Sequence, residues 1–233
     1  NVVSPDDMIA RYGADSTRLY TLFATSPESE LDWQDAGIEG ASRFLGRVFR
    51  LVSRNTNAPR RQGGDGNLSS AARSFQRKLH QTIRKVTEDF DGRWHFNTSI
   101  AAVMELTNEL YVAEEEIVRS GLMPEVVRAL VLLLAPFAPY LAHELWQAAG
   151  QKSNLLREPW PQYDPVLAKE EEIEIPVQVN GKLRGLIVVP AGAAEELVRE
   201  RALANEKVQS FIAGKQIVKV IVVPGKLVNV VVR

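Results

Sequence analysis

Apolar positions recur at helical spacing through roughly the first 150 residues and alternate one-in-two near the end, so the chain reads as helices followed by strands. Ser4-Pro5-Asp6-Asp7 predicts a helix start, with Ser4 as cap, Pro5 in the first helical position and Asp7 closing a capping box. Met8, Ile9 and Tyr12 give that helix its apolar side, and Gly13 ends it. A second helix is predicted over Asp15 to Ala24, then a turn at Ser26-Pro27-Glu28-Ser29-Glu30, then a long helix from about Asp35 to Asn55. Residues 57–67, with Pro59, Gly63, Gly64 and Gly66, predict an exposed, mobile loop. The next helix starts at Ser69 or Ser70 and runs to Phe90, where Asp91-Gly92 breaks it. Asn97 is read as the cap of a helix carrying Ile100, Val103, Met104, Leu106, Leu110 and Tyr111. Pro124 opens the most apolar segment, Val126 to Leu134, and Pro136 and Pro139 kink or restart it toward Trp146 and Gly150. These elements predict an antiparallel bundle of about five main helices.

Prolines at 159, 161 and 165 then punctuate a linker with docked aromatics over 154–172. From Ile173 the period is two. Ile175, Val177 and Val179 lead into Asn180-Gly181, a strong type I′ hairpin signal. Residues 193–211 read as helix, in two pieces around Asn205, and strands come next at 216–223 and 227–232 around Pro224-Gly225. The expected fold class is therefore α+β: an antiparallel helical bundle over 1–153, a linker over 154–172, and a small ββαββ domain over 173–233.

Charge changes the picture more than composition does. The net charge of −1 conceals a polarised chain. Arg43 to Lys85 holds eleven Lys or Arg and one acid, Asp65, whereas 1–39 is net −6, 94–172 is net −7, and 173–233 is net +4. Arg43, Arg47, Arg50 and Arg54 fall within about 60° of arc on a helix. Arg73, Arg77, His80 and Arg84 repeat the spacing, and if the two helices were adjacent they would form one basic surface suited to a polyphosphate backbone. In the tail, Lys182, Arg184, Lys219 and Lys226 lie near turns and strands, where Lys182 and Arg184 share a strand face and the two turns could present cations at one rim. Solvated helix faces and protected sheet edges are the plain alternatives.

The residues point away from catalysis. There is no cysteine, hence no thiol nucleophile, disulfide or cysteine-held zinc, which fits the cytosol. His80, His95 and His143 have no metal-ligand spacing, no serine sits in a nucleophile elbow, and the glycine-rich loop lacks the strand and the Lys-Ser/Thr of a phosphate loop. No apolar run reaches membrane-spanning length, and the opening residues do not read as a signal peptide. Asn1, without a Met, opens on what reads as mid-protein text, so an excised fragment is expected.

Several stretches carry a family resemblance. Asn1-Val2-Val3-Ser4-Pro5 resembles the segment just after the KMSKS loop of class I aminoacyl-tRNA synthetases, and 12–20 (YGADSTRLY) resembles the helix beyond it. Leu31-Asp32-Trp33, 37–41 (GIEGA) and Arg43-Phe44-Leu45 narrow the likeness to the leucyl-tRNA synthetase family. Residues 96–102 (FNTSIAA) and 134–139 (LAPFAP) are similar to its bundle helices. Residues 177–185 (VQVNGKLRG) and 223–229 (VPGKLVN) resemble the C-terminal domain of its bacterial type.

The resemblance implies a helical anticodon-binding domain over 1–153, whose first 34 residues connect from the KMSKS loop, and a C-terminal tRNA-binding domain over 173–233. It implies a cytoplasmic, monomeric parent enzyme that attaches leucine to its tRNA using ATP with Mg, the catalytic and editing domains lying upstream. The chain alone would be non-catalytic, would hold no cofactor, and would hold tRNA(Leu) by backbone and shape. The candidate contacts are then Arg43, Arg47, Arg50, Arg54, Arg73, Arg77, Arg84, Lys182, Arg184, Lys219 and Lys226. A stand-alone RNA-binding protein and a basic module for an acidic protein partner are the competing readings.

Overall fold

The computed structural model describes residues 3–26, 28–61, 68–92, 94–169 and 172–233. The glycine-rich stretch expected as a mobile loop, the Glu170-Glu171 pair and the opening Asn1-Val2 lie outside the described residues. The chain divides into two compact units, 1–168 and 169–233.

In the first unit the described helices are α1 (Pro5–Tyr12), α2 (Ala14–Ala24), α3 (Asp35–Asn55), α4 (Ser70–Phe90), α5 (Phe96–Ser120), α6 (Met123–Leu134) and α7 (Pro139–Ala148). α6 is buried almost throughout, from Met123 and Val126 to Leu134, and packs against α3, α4, α5 and α7. A helix apolar on all sides belongs at the centre of such a bundle. Truncating a fully buried side chain there, such as Leu130→Ala, removes about 2–5 kcal/mol.

Helix starts use the expected residues in part. Ser69 caps α4, its Oγ accepting from the Ala72 N–H at 3.1 Å. Ser4 stands before α1 with no capping bond from its hydroxyl, so neither the expected cap nor the capping box forms; the Met8 N–H on the Ser4 carbonyl, 3.3 Å, holds that turn. α5 begins at Phe96 rather than after Asn97, whose Oδ1 accepts from the neighbouring Thr98 N–H. α7 is capped from far away. Its flanking Ala138 has no side-chain oxygen to offer, and the Asp15 carboxylate of α2 accepts from the Leu141 N–H at 2.6 Å and from the Tyr140 N–H at 3.4 Å. Arg18 adds a bond to the Pro136 carbonyl at 3.1 Å. The opening segment is thereby tied to the last bundle helix by charge and backbone dipole as well as by packing. α2 and α3 approach closely at Gly37: a Cβ there would lie 2.3 Å from the ring of Tyr20, whose hydroxyl accepts from the Gln34 N–H.

Most of the stretch expected as a linker is docked on the bundle. Leu155 and Ala168 are buried. Trp160 Nε1 donates to Thr87 Oγ1 at 2.8 Å, the Asp164 N–H donates to His80 Nδ1 at 3.0 Å, and Gln81 donates to the Ala168 carbonyl at 3.1 Å. Arg128 of α6 pairs with Glu158 at 2.6 Å. A strap thus runs along α4 before the second unit begins.

The second unit holds β1 (Glu172–Val179), β2 (Lys182–Pro190), α8 (Glu195–Ala204), α9 (Glu206–Ile212), β3 (Ile217–Val223) and β4 (Leu227–Val232). The sheet order is β2-β1-β4-β3, with β1 and β4 parallel and both hairpins antiparallel. Asn180 and Gly181 both have positive φ, 50° and 79°, as the expected type I′ turn requires. The helix breaks at Asn205, whose side chain caps α9 at Val208. Ile175, Val177, Ile187, Val189, Val228 and Val230 bury one sheet face against Val198, Ala202 and Val208. β2 carries a bulge at Arg184, between pairs Val177–Gly185 and Gln178–Leu183. Gly185 lies under α9, where a Cβ would come within 2.8 Å of Asn205 Oδ1.

Candidate nucleic-acid interface

The α3 stripe forms on one helix as expected, but its members have different surroundings. Arg43 is exposed and 3.9 Å from Glu39. Arg47 lies over the Tyr111 ring of α5, 4.7 Å from its centroid, and the Tyr111 hydroxyl donates to the Arg47 carbonyl. Arg54 grips Glu114 of α5 through Nε and Nη2 and also covers Tyr111 at 5.0 Å. Burial pushes the Glu114 carboxyl up, but hydrogen bonds from Arg54 and Asn55 outweigh it and leave the carboxyl below its ordinary value. Arg50 is exposed, with no ion pair among the described residues. A half-exposed pair such as Arg54–Glu114 contributes about 1 kcal/mol at most.

The second stripe differs more. α4 packs chiefly on α5, and α3 and α4 do not lie side by side, so the expected single basic surface is not built. His80 leaves the cationic row altogether. It is 6% exposed beneath the strap, and burial pushes its pKa down, only partly countered by Glu125 and Asp164. Arg73 turns back to the Leu68 carbonyl at 2.7 Å, Arg84 sits 4.0 Å from Glu88, and Arg77 is half-buried. Lys78 is taken by Glu105 and Glu109 of α5. Acids that lie far along the chain, in the stretch of net −7, therefore absorb part of the basic stretch once α5 packs against α3 and α4.

In the second unit Lys182, Lys219 and Lys226 are exposed. Because β1 and β4 are parallel, the turn at Asn180-Gly181 and the turn at Pro224-Gly225 lie at opposite ends of the sheet, and β2 and β3 are its opposite edges. One shared rim is excluded by that topology. The bulged Arg184 is half-buried, its guanidinium 3.9 Å from the centroid of the Phe211 ring on α9. Lys219 is the one cation within the edge strand β3, whose Ile217, Val218 and Ile221 are exposed. Tyr111, Glu114 and Phe211, which set the state of three candidate arginines, carry no signal in local sequence. They act across contacts that only the packing creates.

Among the described residues there is no group of three or more His, Cys, Asp or Glu able to hold a metal ion. Among them, too, no helix is long and apolar enough to cross a membrane.

A helical bundle displaying arginines, followed by a small basic α+β unit, matches a known class over more than half its length. Residues 72–199 match the family described as the anticodon-binding domain of tRNA ligase, and the chain belongs to that family. Its relatives are leucine–tRNA ligases. It is 51% identical over its whole length to the leucine–tRNA ligase of Solibacter usitatus and 50% identical to that of Syntrophobacter fumaroxidans. It spans 28% and 29% of those proteins. All of the chain also superposes, with TM-score 0.85 and 35% identity, on 31% of the LeuRS chain from Agrobacterium radiobacter K84 agnB2, solved in a ternary complex with tRNA and LeuAMS. Apo methionyl-tRNA synthetase of Mycobacterium tuberculosis shares the fold over 70% of this chain and 42% of its own, at TM-score 0.53 and 18% identity.

Proposed function

We propose that this chain is the tRNA-holding part of a leucine–tRNA ligase and holds tRNA(Leu) through backbone and shape. The superposition over the whole chain on a LeuRS solved with tRNA carries the reading. In it, the ligase is a cytoplasmic monomer whose ATP, with Mg, and leucine are handled by catalytic and editing domains outside this chain. Folded RNA offers phosphates, 2′-hydroxyls and splayed bases, and arginines or lysines on rigid elements suit the first two. Arg50, Lys182, Lys219 and Lys226, exposed and without an ion pair among the described residues, are assigned to phosphates. Two linked modules raise each other's effective concentration on one RNA, so neither needs high affinity alone. The gain is geometric: the acceptor end is delivered to a distant reaction site, where misplacement lowers rate.

Deletion of 173–233 from the parent ligase tests this. Leucyl-adenylate formation, read by leucine-dependent pyrophosphate exchange, should persist while aminoacylation collapses. Charging at the parental rate would overturn the assignment of the tail to tRNA.

A further inference from the structure

Of the four tryptophans, three have ordinary structural surroundings. Trp33 Nε1 donates to Asp35, Trp146 Nε1 to the Ser153 carbonyl and Trp160 Nε1 to Thr87, and each side chain is buried or half-buried. Trp94 differs in every respect. It is 61% exposed, and its indole N–H has no partner among the described residues. Its backbone sits at φ 53°, in the left-handed region, one of two non-glycine residues so placed among those described. The other, Asn180, is in a turn that demands it; a bulky aromatic at positive φ is an outlier that costs conformational energy.

The strain is held in place. The His95 N–H reaches back to the Asp89 carbonyl at 3.4 Å, closing the loop between α4 and α5 just after Trp94. The indole and the Phe96 ring make a T-shaped contact, centroids 5.7 Å apart at 75°. Phe96 in turn leans on Phe90 and Phe137 of the core. A ring so exposed, held against a packed aromatic cluster on a backbone in the left-handed region, presents apolar surface in a fixed orientation. Lys85 of α4, which also donates to Thr98 at the start of α5, is committed to buried Asp89. We infer that Trp94 is a stacking platform for one unpaired nucleobase of the bound RNA. This rests on the proposal that the chain holds tRNA, and it names the contact that reads an unstacked base, which the exposed arginines and lysines cannot do.

The test is Trp94→Gly in the full chain, with Trp94→Phe beside it. Glycine is at home at φ 53°, so Trp94→Gly should melt no lower than the parent while its affinity for a tRNA(Leu) transcript falls about 5- to 150-fold. Trp94→Phe should keep most of the affinity, and the salt dependence of binding should keep its slope in both, since no phosphate contact is lost. A merely structural Trp94 would instead lower the melting temperature of the glycine variant. If Trp94→Gly binds tRNA as tightly as the parent, the inference is overturned. If the parent chain itself binds no tRNA, the functional proposal fails first, a result the parent control reads separately.

Discussion

The two units treat their charges differently. In the helical unit charge is largely built into the structure: Arg54 holds Glu114, Lys78 holds Glu105, and Lys85 holds Asp89, each pair bridging or ending helices. In the sheet unit Lys182, Lys219 and Lys226 have no such partner among the described residues, and Arg199–Glu195 is a simple pair within one exposed helix. The bundle is long enough for acids of one helix to meet bases of another. The small sheet has one buried face, two edges and few acids, so these three lysines stay in water. A basic sequence stretch is thus weak evidence for a binding surface where an acidic helix packs against it, and stronger evidence where nothing does.

Asp89 offers the largest break in this comparison. Its carboxylate is 2% exposed and accepts from Lys85 Nζ at 2.6 Å, Thr98 Oγ1 at 2.7 Å and Ser99 Oγ at 3.2 Å, joining the end of α4 to the start of α5. Burial pushes its pKa up, and the bonds from Lys85, Thr98 and Ser99 more than reverse that, leaving it below the usual carboxylate value. Asp89→Ala should lose about 2–4 kcal/mol in urea unfolding, because three donors lose their buried acceptor. A variant as stable as the parent but weaker for tRNA would show that charge in the bundle serves binding after all.

Next in size is the contrast between Arg54 and the tail lysines. Arg54→Gln should cost about 1 kcal/mol and barely change the salt slope of tRNA affinity, since the guanidinium is already spent on Glu114 and Tyr111. Lys182→Ala, Lys219→Ala and Lys226→Ala should each leave stability within about 0.5 kcal/mol. Each one that meets a phosphate should lower the salt slope by about one unit. Equal slopes for the Arg54 and lysine variants would erase the distinction between the units.

The elements were legible because their signals are local. The period of the apolar residues, Ser69 before α4, Asp91-Gly92 after it, Asn180-Gly181 between strands and Asn205 between α8 and α9 each act within a few residues. What the sequence hid is non-local. Asp15 reads as a first-turn acid of its own helix and caps α7 as well, 125 residues away. Residues 154–172 read as a linker with docked aromatics, and Trp160 does dock; the partners on α4 that it and the backbone of Asp164 find, Thr87 and His80, are more than 70 residues away. The α3 and α4 stripes look alike in one dimension and are kept apart by α5 in three. The two tail turns were separable only once β1 and β4 proved parallel, which places them at opposite ends.

His80 gives the smallest effect and a third way of treating charge, which is to suppress it. It occupies a position of the α4 row where arginine stands before and after, yet the strap covers it, and its Nδ1 accepts the Asp164 N–H, a bond only the unprotonated nitrogen can make. Nε2 is buried with no partner among the described residues. Desolvation lowers its pKa more than Glu125 and Asp164 raise it. The unfolded chain therefore takes up a proton near the ordinary histidine pKa of about 6.5 while the folded chain still refuses it. Stability is full above that pKa and falls as pH drops from it toward the lowered folded value. The depressed carboxylates at Asp89 and Glu114 keep their contribution throughout this window and lose it only at more acid pH. Urea midpoints of the parent between about pH 5.5 and 7.5 should thus rise with pH, and those of His80→Gln should be flatter, with Trp160 fluorescence reporting whether the strap stays docked. A variant with the parental slope would mean that His80 is not the group refusing the proton; a slope of opposite sign in the parent would mean that the strap binds the imidazolium.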